Sequence, residues 1–282
     1  MAHRGFRHLP VVRRNKQAWE KELLGIVSAQ DLIDLMHAIS SRIEARQEVI
    51  TLLSELDNYV SSIMSDNPVT ISSDKTMLDA IRTMGEKNVG ALPIIKSEAA
   101  TTAPTNPKLL GIITLRDLVS LLASYAPFGI RAEDIMTRRV ITIDSNDTVH
   151  SALALMSRNR VRRLPVIDTK SESVLGMVTN KMLVRYFESS IAYSSLRNGI
   201  EASYRQPVRM IMMSPMPVLD PKEDCGTAAY MMRELGTGGF AVTDSRGLLG
   251  ILTERDLIRS IHAKYGISFF SNLFSKAQTI YC

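Results

Sequence analysis

Leu110-Gly111-Ile112-Ile113-Thr114-Leu115-Arg116-Asp117-Leu118 reads as a strand that turns directly into a helix. The apolar run up to Thr114 is too short for a helix and rich in β-branched side chains, which marks a buried strand. From Asp117 to Ala123 the apolar positions fall at helical spacing. Three near-copies occur: LGIVSAQDL from Leu24 to Leu32, LGMVTNKML from Leu175 to Leu183, and LGILTERDL from Leu249 to Leu257. Four copies of one strand-to-helix join are an internal repeat, which decides the fold before any single element does.

Each join has an upstream part. In the second copy, Ile63-Met64-Ser65-Asp66-Asn67-Pro68-Val69-Thr70-Ile71 predicts a turn and a short strand. Thr76-Met77-Leu78-Asp79 has the form of a capping box, and Met77, Leu78, Ile81 and Met84 give the helix behind it one apolar face. Val89 to Ile95 returns as a strand, and the polar stretch Ser97 to Lys108 is a long hairpin loop before the third strand. The order is β-α-β-β-α. The third copy repeats it from Ile135-Met136-Thr137, through a strand at Val140 to Ile143, a helix start at Thr148, and strands at Val161 to Ile167 and Val174 to Thr179. The fourth runs from Met213-Ser214-Pro215 through Leu219 and a helix from about Gly226, with Cys225 in the place of Thr76 and Thr148.

The first copy is short. Arg7-His8-Leu9-Pro10-Val11-Val12 is already the second strand, and only nine residues precede Pro10. Its opening turn, first strand and most of its first helix are missing, as in a fragment or a misplaced start. The apolar surface left open is expected to be covered by a dimer partner. Asp31 to about Met64 carries a broad helical stripe that includes Val49, Ile50, Leu52, Leu53 and Leu56, and Met182 to Tyr204 reads similarly. Tyr125-Ala126-Pro127-Phe128-Gly129 is the expected boundary between halves. The domains are placed at 1–58, 59–126, 127–205 and 206–282.

With 45% hydrophobic and 22% charged residues over 282 positions, the chain has ample material for cores. No apolar run approaches the ~20 residues of a membrane span, and no signal-peptide core opens the chain. Two cysteines make no disulfide framework. A cytoplasmic protein with no membrane association is expected. The net charge of +5 fits either a solvated basic surface or polyanionic partners such as nucleotides and nucleic acid. Five scattered histidines show no metal-ligand spacing, so no metal site is expected. No catalytic triad, P-loop or nucleophile elbow appears, so no catalytic residues are assigned. The segment Met210, Met212, Met213, Met216 suits packing between domains.

A β-α-β-β-α unit with h-P-V on its second strand and G-h-h-T-x-x-D at its third strand-to-helix join resembles the cystathionine-β-synthase (CBS) domain. The resemblance covers nearly the whole chain, in three near-complete copies and one partial copy. It implies an α/β (α+β) fold in which repeats 1–2 and 3–4 pair through their sheets into two Bateman modules. The layout is similar to the γ subunit of AMP-activated kinase. It also implies no catalytic cofactor and binding of an adenosine compound (AMP, ADP, ATP or S-adenosylmethionine) in clefts between paired domains.

The chemistry of T-x-x-D admits two readings. A helix N-terminus offers a hydroxyl and backbone N–H groups to a phosphate, and a carboxylate one turn in can accept bonds from ribose hydroxyls. The same spacing is a plain helix cap, worth ~1 kcal/mol. By resemblance, the ligand contacts are Thr114 and Asp117 in repeat 2, Thr253 and Asp256 in repeat 4, and Ser28 and Asp31 in repeat 1. In repeat 3, Thr179 is present but Met182 replaces the acid, and a thioether accepts hydrogen bonds poorly. The adenine wall falls to Ala91-Leu92-Pro93 and to Arg163-Leu164-Pro165, and His8 and Pro10 are further ligand contacts in repeat 1. Thr70 and Thr142 lie near the base. In repeat 4, Ala241 replaces the proline and Leu219 the threonine. Arg116 and Arg255, at one repeat position, are the favoured phosphate partners, with Arg7, His8, Arg160, Arg162, Arg163 and Lys181 further cations near the joins.

The function expected is a non-catalytic nucleotide sensor that passes occupancy to a regulated protein. Its rivals are a nucleic-acid-binding protein, marked by strong salt dependence, and a nucleotide hydrolase, against which the missing base–nucleophile pair argues.

Overall fold

A computed structural model describes residues 6–14, 21–44, 59–97, 107–171, 173–193 and 197–278. The expected Ser97–Lys108 loop and the stripe from Val49 to Leu56 lie largely or wholly outside those residues. Four three-stranded sheets form, one per repeat. In repeat 2, β4 (Ile71–Ser72) runs parallel to β5 (Ala91–Ile95), which pairs antiparallel with β6 (Leu109–Thr114). Repeat 3 does the same with β7 (Ile143–Asp144), β8 (Arg163–Asp168) and β9 (Ser173–Thr179), and repeat 4 with β10 (Val218–Leu219), β11 (Gly239–Asp244) and β12 (Gly247–Thr253). In repeat 1, β1 (His8–Arg14) and β2 (Lys21–Ser28) are joined instead by β3 (Ser65–Asp66), which belongs to the opening of repeat 2.

The helices follow their caps. Thr76 and Asp79 exchange both capping bonds at the start of α2 (Met77–Lys87): Asp79 N–H donates to Thr76 Oγ1 at 3.2 Å and Thr76 N–H to Asp79 Oδ2 at 3.0 Å. Ile81 and Met84 are buried as predicted, but Met77 is 41% exposed. The structure also moves the helix start of repeat 4. Asp224 is the cap, accepting from Gly226 N–H at 2.7 Å, and Cys225 is the first residue of α8 (Cys225–Glu234), fully buried. Cys225 therefore stands where Met77 and Val149 stand, and fills core rather than capping a helix.

The chain forms two compact units that interleave in sequence. One contains residues 1–11, 25–66 and 140–216, the other residues 12–24, 67–139 and 217–282. In the first, α1 (Ala29–Glu44) packs on α5 (Val149–Asn159) and α6 (Asn180–Tyr193). Ile33, Ile39, Leu153, Met156, Leu164 and Phe187 form its core. The predicted long helix after Met182 is divided into α6 and α7 (Arg197–Arg205). In the second unit, α2 packs on α9 (Glu254–Gln278) and α3 (Leu115–Leu122) on both α8 and α9, the latter interrupted at Gly266, where φ is +72°. Ile81, Leu118, Met232, Leu257 and Phe270 share that core. Odd repeats thus share one core and even repeats the other.

Within each unit an opening arm packs on a repeat other than its own. Residues 130–137, which include α4 (Ala132–Ile135), lie on repeat 4: Ala132 and Glu133 donate to Glu223 and Pro221, and Thr137 exchanges both backbone bonds with Ile251 at 2.9 Å. Residues 206–213 lie on repeat 3 in the same way, with Val208 and Arg209 donating to Asp147 and Ser145 and Met213 exchanging bonds with Met177. Repeat 2 lends its arm, Met64 to Asp66, to β2 of repeat 1.

Candidate functional site

The four joins share one construction. The first helical N–H after the Ser/Thr position donates to the carbonyl just ahead of the second strand: Ala29 to Arg7, Leu115 to Gly90, Asn180 to Arg162 and Glu254 to Gly238, at 2.8 to 3.1 Å. One of the N–H groups expected to face a phosphate is therefore committed to the fold. The join itself is held by the strand register. Thr114 lies opposite Ala91, Thr179 opposite Arg163 and Thr253 opposite Gly239.

In repeat 2, Asp117 Oδ2 accepts the Thr114 N–H at 2.8 Å and its hydroxyl at 2.7 Å. Asp117 is exposed, and its Oδ1 has no hydrogen-bond partner among the described residues. Ala91, Leu92 and Pro93 are buried in β5, and Thr70 immediately precedes β4, whose Ile71 pairs with Ile94. The threonine, the acid and the apolar wall thus gather at one end of the sheet. Arg116 turns elsewhere: its Nε donates to the buried Glu254 at 3.3 Å and its guanidinium reaches the Gly236 carbonyl at 3.1 Å, tying repeat 2 to repeat 4.

Repeat 4 repeats the pair and adds a third group. Asp256 Oδ2 accepts the N–H and hydroxyl of Thr253 at 2.8 and 2.7 Å, and Oδ1 accepts the hydroxyl of Thr137 at 3.0 Å. Burial raises the Asp256 carboxyl above its ordinary range, against those hydrogen bonds and the charge of Arg255. Arg255 is pushed down by burial, with Asp256 opposing and Arg259 reinforcing the shift. No hydrogen bond or ion pair to the Arg255 guanidinium is found among the described residues, unlike Arg116. The register also corrects the base pocket. Leu219 pairs with Val242 and is buried, so it matches Ile71 and Ile143, while exposed Val218, opposite Ala241, takes the place of Thr70 and Thr142.

In repeat 1, Asp31 Oδ2 accepts the Ser28 N–H at 2.6 Å, and Ser28 Oγ caps Gln30 and Asp31. His8 and Pro10 lie on β1. In repeat 3, only the Thr179 cap on the Met182 N–H persists, at 3.3 Å, and Met182 puts no carboxylate there. Pro165 faces Met177, and Thr142 precedes β7. Arg160 is held by Asp34 at 2.6 Å.

Two positions that hold these joins and arms together escaped the sequence. Thr137, far from Asp256 in the chain, completes its shell, and Asp224 gathers the N–H groups of Phe128, Gly129 and Ile130 at 2.7 to 3.2 Å. The recurring Ile-Met-Ser/Thr phrase was the available signal for the first; nothing local marked the second. Burial first, and then the nearby Asp224 and Asp134, push the Cys225 thiol up to about 12, which disfavours a thiolate. Among the described residues no three His, Cys, Asp or Glu side chains come together as a metal site would require, and no helix is long and apolar enough to cross a membrane.

Known proteins match along the whole chain. An uncharacterized 33.4 kDa protein of the ribosomal RNA operon of Thermofilum pendens is 26% identical over 273 residues, 96% of this chain and 85% of that one. The uncharacterized protein MJ1404 of Methanocaldococcus jannaschii is 31% identical over 93% of this chain, which spans 56% of its length. The crystal structure of protein MJ1225 from the same organism, put forward as an archaeal homolog of g-AMPK, superposes with a TM-score of 0.77 at 23% identity, covering 92% of this chain and 89% of that one. The CBS domain model matches residues 1–38, 60–124, 132–189 and 208–263. With every repeat matched and the four-repeat layout shared, the chain belongs to the CBS domain family.

Proposed function

We propose that this chain is a non-catalytic, cytoplasmic sensor that binds an adenine nucleotide (AMP, ADP or ATP) at its T-x-x-D joins and passes occupancy to a regulated protein. The observation that carries the reading is the join of repeat 2. There Thr114, an acid with one open carboxylate oxygen, and the Ala91-Leu92-Pro93 wall converge. A ribose diol can donate to Asp117 Oδ1, and Thr114 sits where a phosphate meets a helix N-terminus. In repeat 4, Thr253, Asp256 and Arg255, which has no ion pair among the described residues, form a second site, in which the Thr137 hydroxyl must yield the acid. Ser28 and Asp31 with His8 and Pro10 offer a third, and repeat 3, with Thr142, Arg163, Pro165 and Thr179, the weakest. Arg116 acts at the first site by bracing the α3 N-terminus against Glu254. Occupancy is transmitted only if the nucleotide binds two arrangements of the chain with different affinity.

The test is native mass spectrometry of the purified chain with AMP, ADP, ATP, S-adenosylmethionine and a single-stranded RNA, at low and moderate salt. A retained nucleotide mass insensitive to salt supports the sensor. RNA binding that collapses with salt, with no nucleotide retained, supports the nucleic-acid reading suggested by the +5 charge instead.

A further inference from the structure

Each of the three arms sets one side chain beside a join. Met64, Met212 and Met136 lie over Gly25, Gly176 and Gly250, and the residue after each methionine pairs with the third strand: Ser65 with Ile26, Met213 with Met177 and Thr137 with Ile251. Residues opposite one another share a face of the sheet, and so do residues two apart on one strand. Ser65, Met213 and Thr137 therefore lie on the face of Ser28, Thr179 and Thr253, one diagonal step away. The arm residue and the acid of the join change together. Ser65 accompanies Asp31 and Thr137 accompanies Asp256, whereas in repeat 3 Met213 holds the arm position and Met182 the acid's.

In repeat 4 the two are bonded. Thr137 Oγ1 donates to Asp256 Oδ1 at 3.0 Å, while Asp256 Oδ2 accepts the N–H and hydroxyl of Thr253. Both carboxylate oxygens are thus engaged by the protein's own donors. In repeat 1, Asp31 accepts the Ser28 N–H, and no hydrogen bond joins it to Ser65 among the described residues. The Thr137 bond is built to exchange. Its backbone is held at both ends, exchanging N–H and carbonyl bonds with Ile251 at 2.9 Å, and Met136 fills the space that a methyl on Gly250 would need. Its side chain is exposed, so rotation about Cα–Cβ carries the hydroxyl to water and leaves the arm in place.

We infer that Thr137 is a specificity-determining residue of the repeat-4 site: its hydroxyl occupies the acceptor that a ribose hydroxyl needs, so a ribonucleotide binds there only in exchange for it. The inference rests on the nucleotide reading given above. One O–H···O⁻ bond replaces another, and the ribose gains little from Asp256. Repeat 4 therefore distinguishes ribose from dideoxyribose poorly, and its selectivity falls to the phosphate end, at Thr253 and Arg255.

The experiment is calorimetric titration with AMP and 2′,3′-dideoxy-AMP of the chain carrying Asp31→Asn and Asp117→Asn, which leaves Asp256 as the acid of its T-x-x-D joins, with and without Thr137→Val. The expected result is AMP binding that tightens by about fivefold or more in Thr137→Val, with dideoxy-AMP unchanged. Thr137→Ser, which keeps the hydroxyl, should bind AMP as its parent does. Melting curves check each fold. If the doubly substituted chain melts early, the same ratio of AMP to dideoxy-AMP is read for Thr137→Val alone and with Asp256→Asn, and the gain must vanish with the carboxylate. Unchanged AMP affinity in Thr137→Val, or an equal gain for both ligands, overturns the inference and leaves nucleotide binding standing. So does AMP binding by the unsubstituted chain that is lost from the doubly substituted one whether residue 137 is Thr or Val. AMP binding by neither the unsubstituted chain nor its Thr137→Val form overturns the nucleotide reading and this inference with it.

Discussion

Single atoms decide what several of these residues can do. Glycine at the third strand is required where an arm's backbone carbonyl lies within 3 Å of the missing methyl, as at Gly25 and Gly250. Replacing either by Ala, or Gly176 likewise, should cost ~1–3 kcal/mol through overpacking. Gly111→Ala should be neutral or gain a few tenths, since the unfolded chain loses freedom and no neighbour is struck. Urea denaturation of the four variants checks the contrast. Cys225 gives a second prediction. With its thiol raised to about 12 by burial, it should not react with an aromatic disulfide reagent in the native Cys282→Ser protein and should react fully in denaturant. The sequence showed the T-x-x-D pairs plainly because both partners are local. It misplaced Cys225 and Leu219 by one position, since a one-residue choice of register or cap leaves composition unchanged while exchanging a buried side chain for an exposed one.

At the level of elements, short side chains hold the turns in register. Asp144 ends β7 and accepts the N–H of Asn146 and both the N–H and hydroxyl of Thr169, which hold its carboxyl down at about 2. Its unfolded counterpart titrates near 3.8, so its stabilisation is complete above that value and is lost as pH falls through about 2. The stability difference between the parent and Asp144→Asn should therefore shrink between those limits. Denaturation midpoints across that window would show it, and a difference that grows on acidification would refute the assignment. Asp224 joins two elements, capping α8 and receiving three N–H groups of the segment 128–130. Asp224→Ala should cost ~1–3 kcal/mol, more than an ordinary cap, because several donors lose their acceptor at once. A loss no larger than that of Thr76→Ala would show that those donors find water. The sequence marked Tyr125 to Gly129 as a break, which its composition fits. It did not show that this break is where one repeat begins to lie on another, because the partner carboxylate is distant in the chain.

Across the molecule, repetition made the fold legible and exchange hid part of the site. Four copies of strand, helix and join gave the β-α-β-β-α order, and the strand order of the sheets in repeats 2, 3 and 4 agrees with it. The interleaving of odd and even repeats in two cores could not be read, since each helix stripe is compatible with any apolar partner. In repeat 2, Met77, Gly111 and Asp117 meet no arm among the described residues, while their counterparts in repeats 3 and 4 are covered or, at Met182, replaced. On the proposed reading, Asp117 is therefore the acid best placed to meet a nucleotide.

Calorimetric titration of the chain and of Asp117→Ala with AMP tests this account most directly. The account predicts binding to the parent that weakens by about tenfold or more when the carboxylate is removed, while the fold is retained. Equal binding by both proteins, or none by the parent, would leave Thr114 and Asp117 as a helix cap and contradict the account.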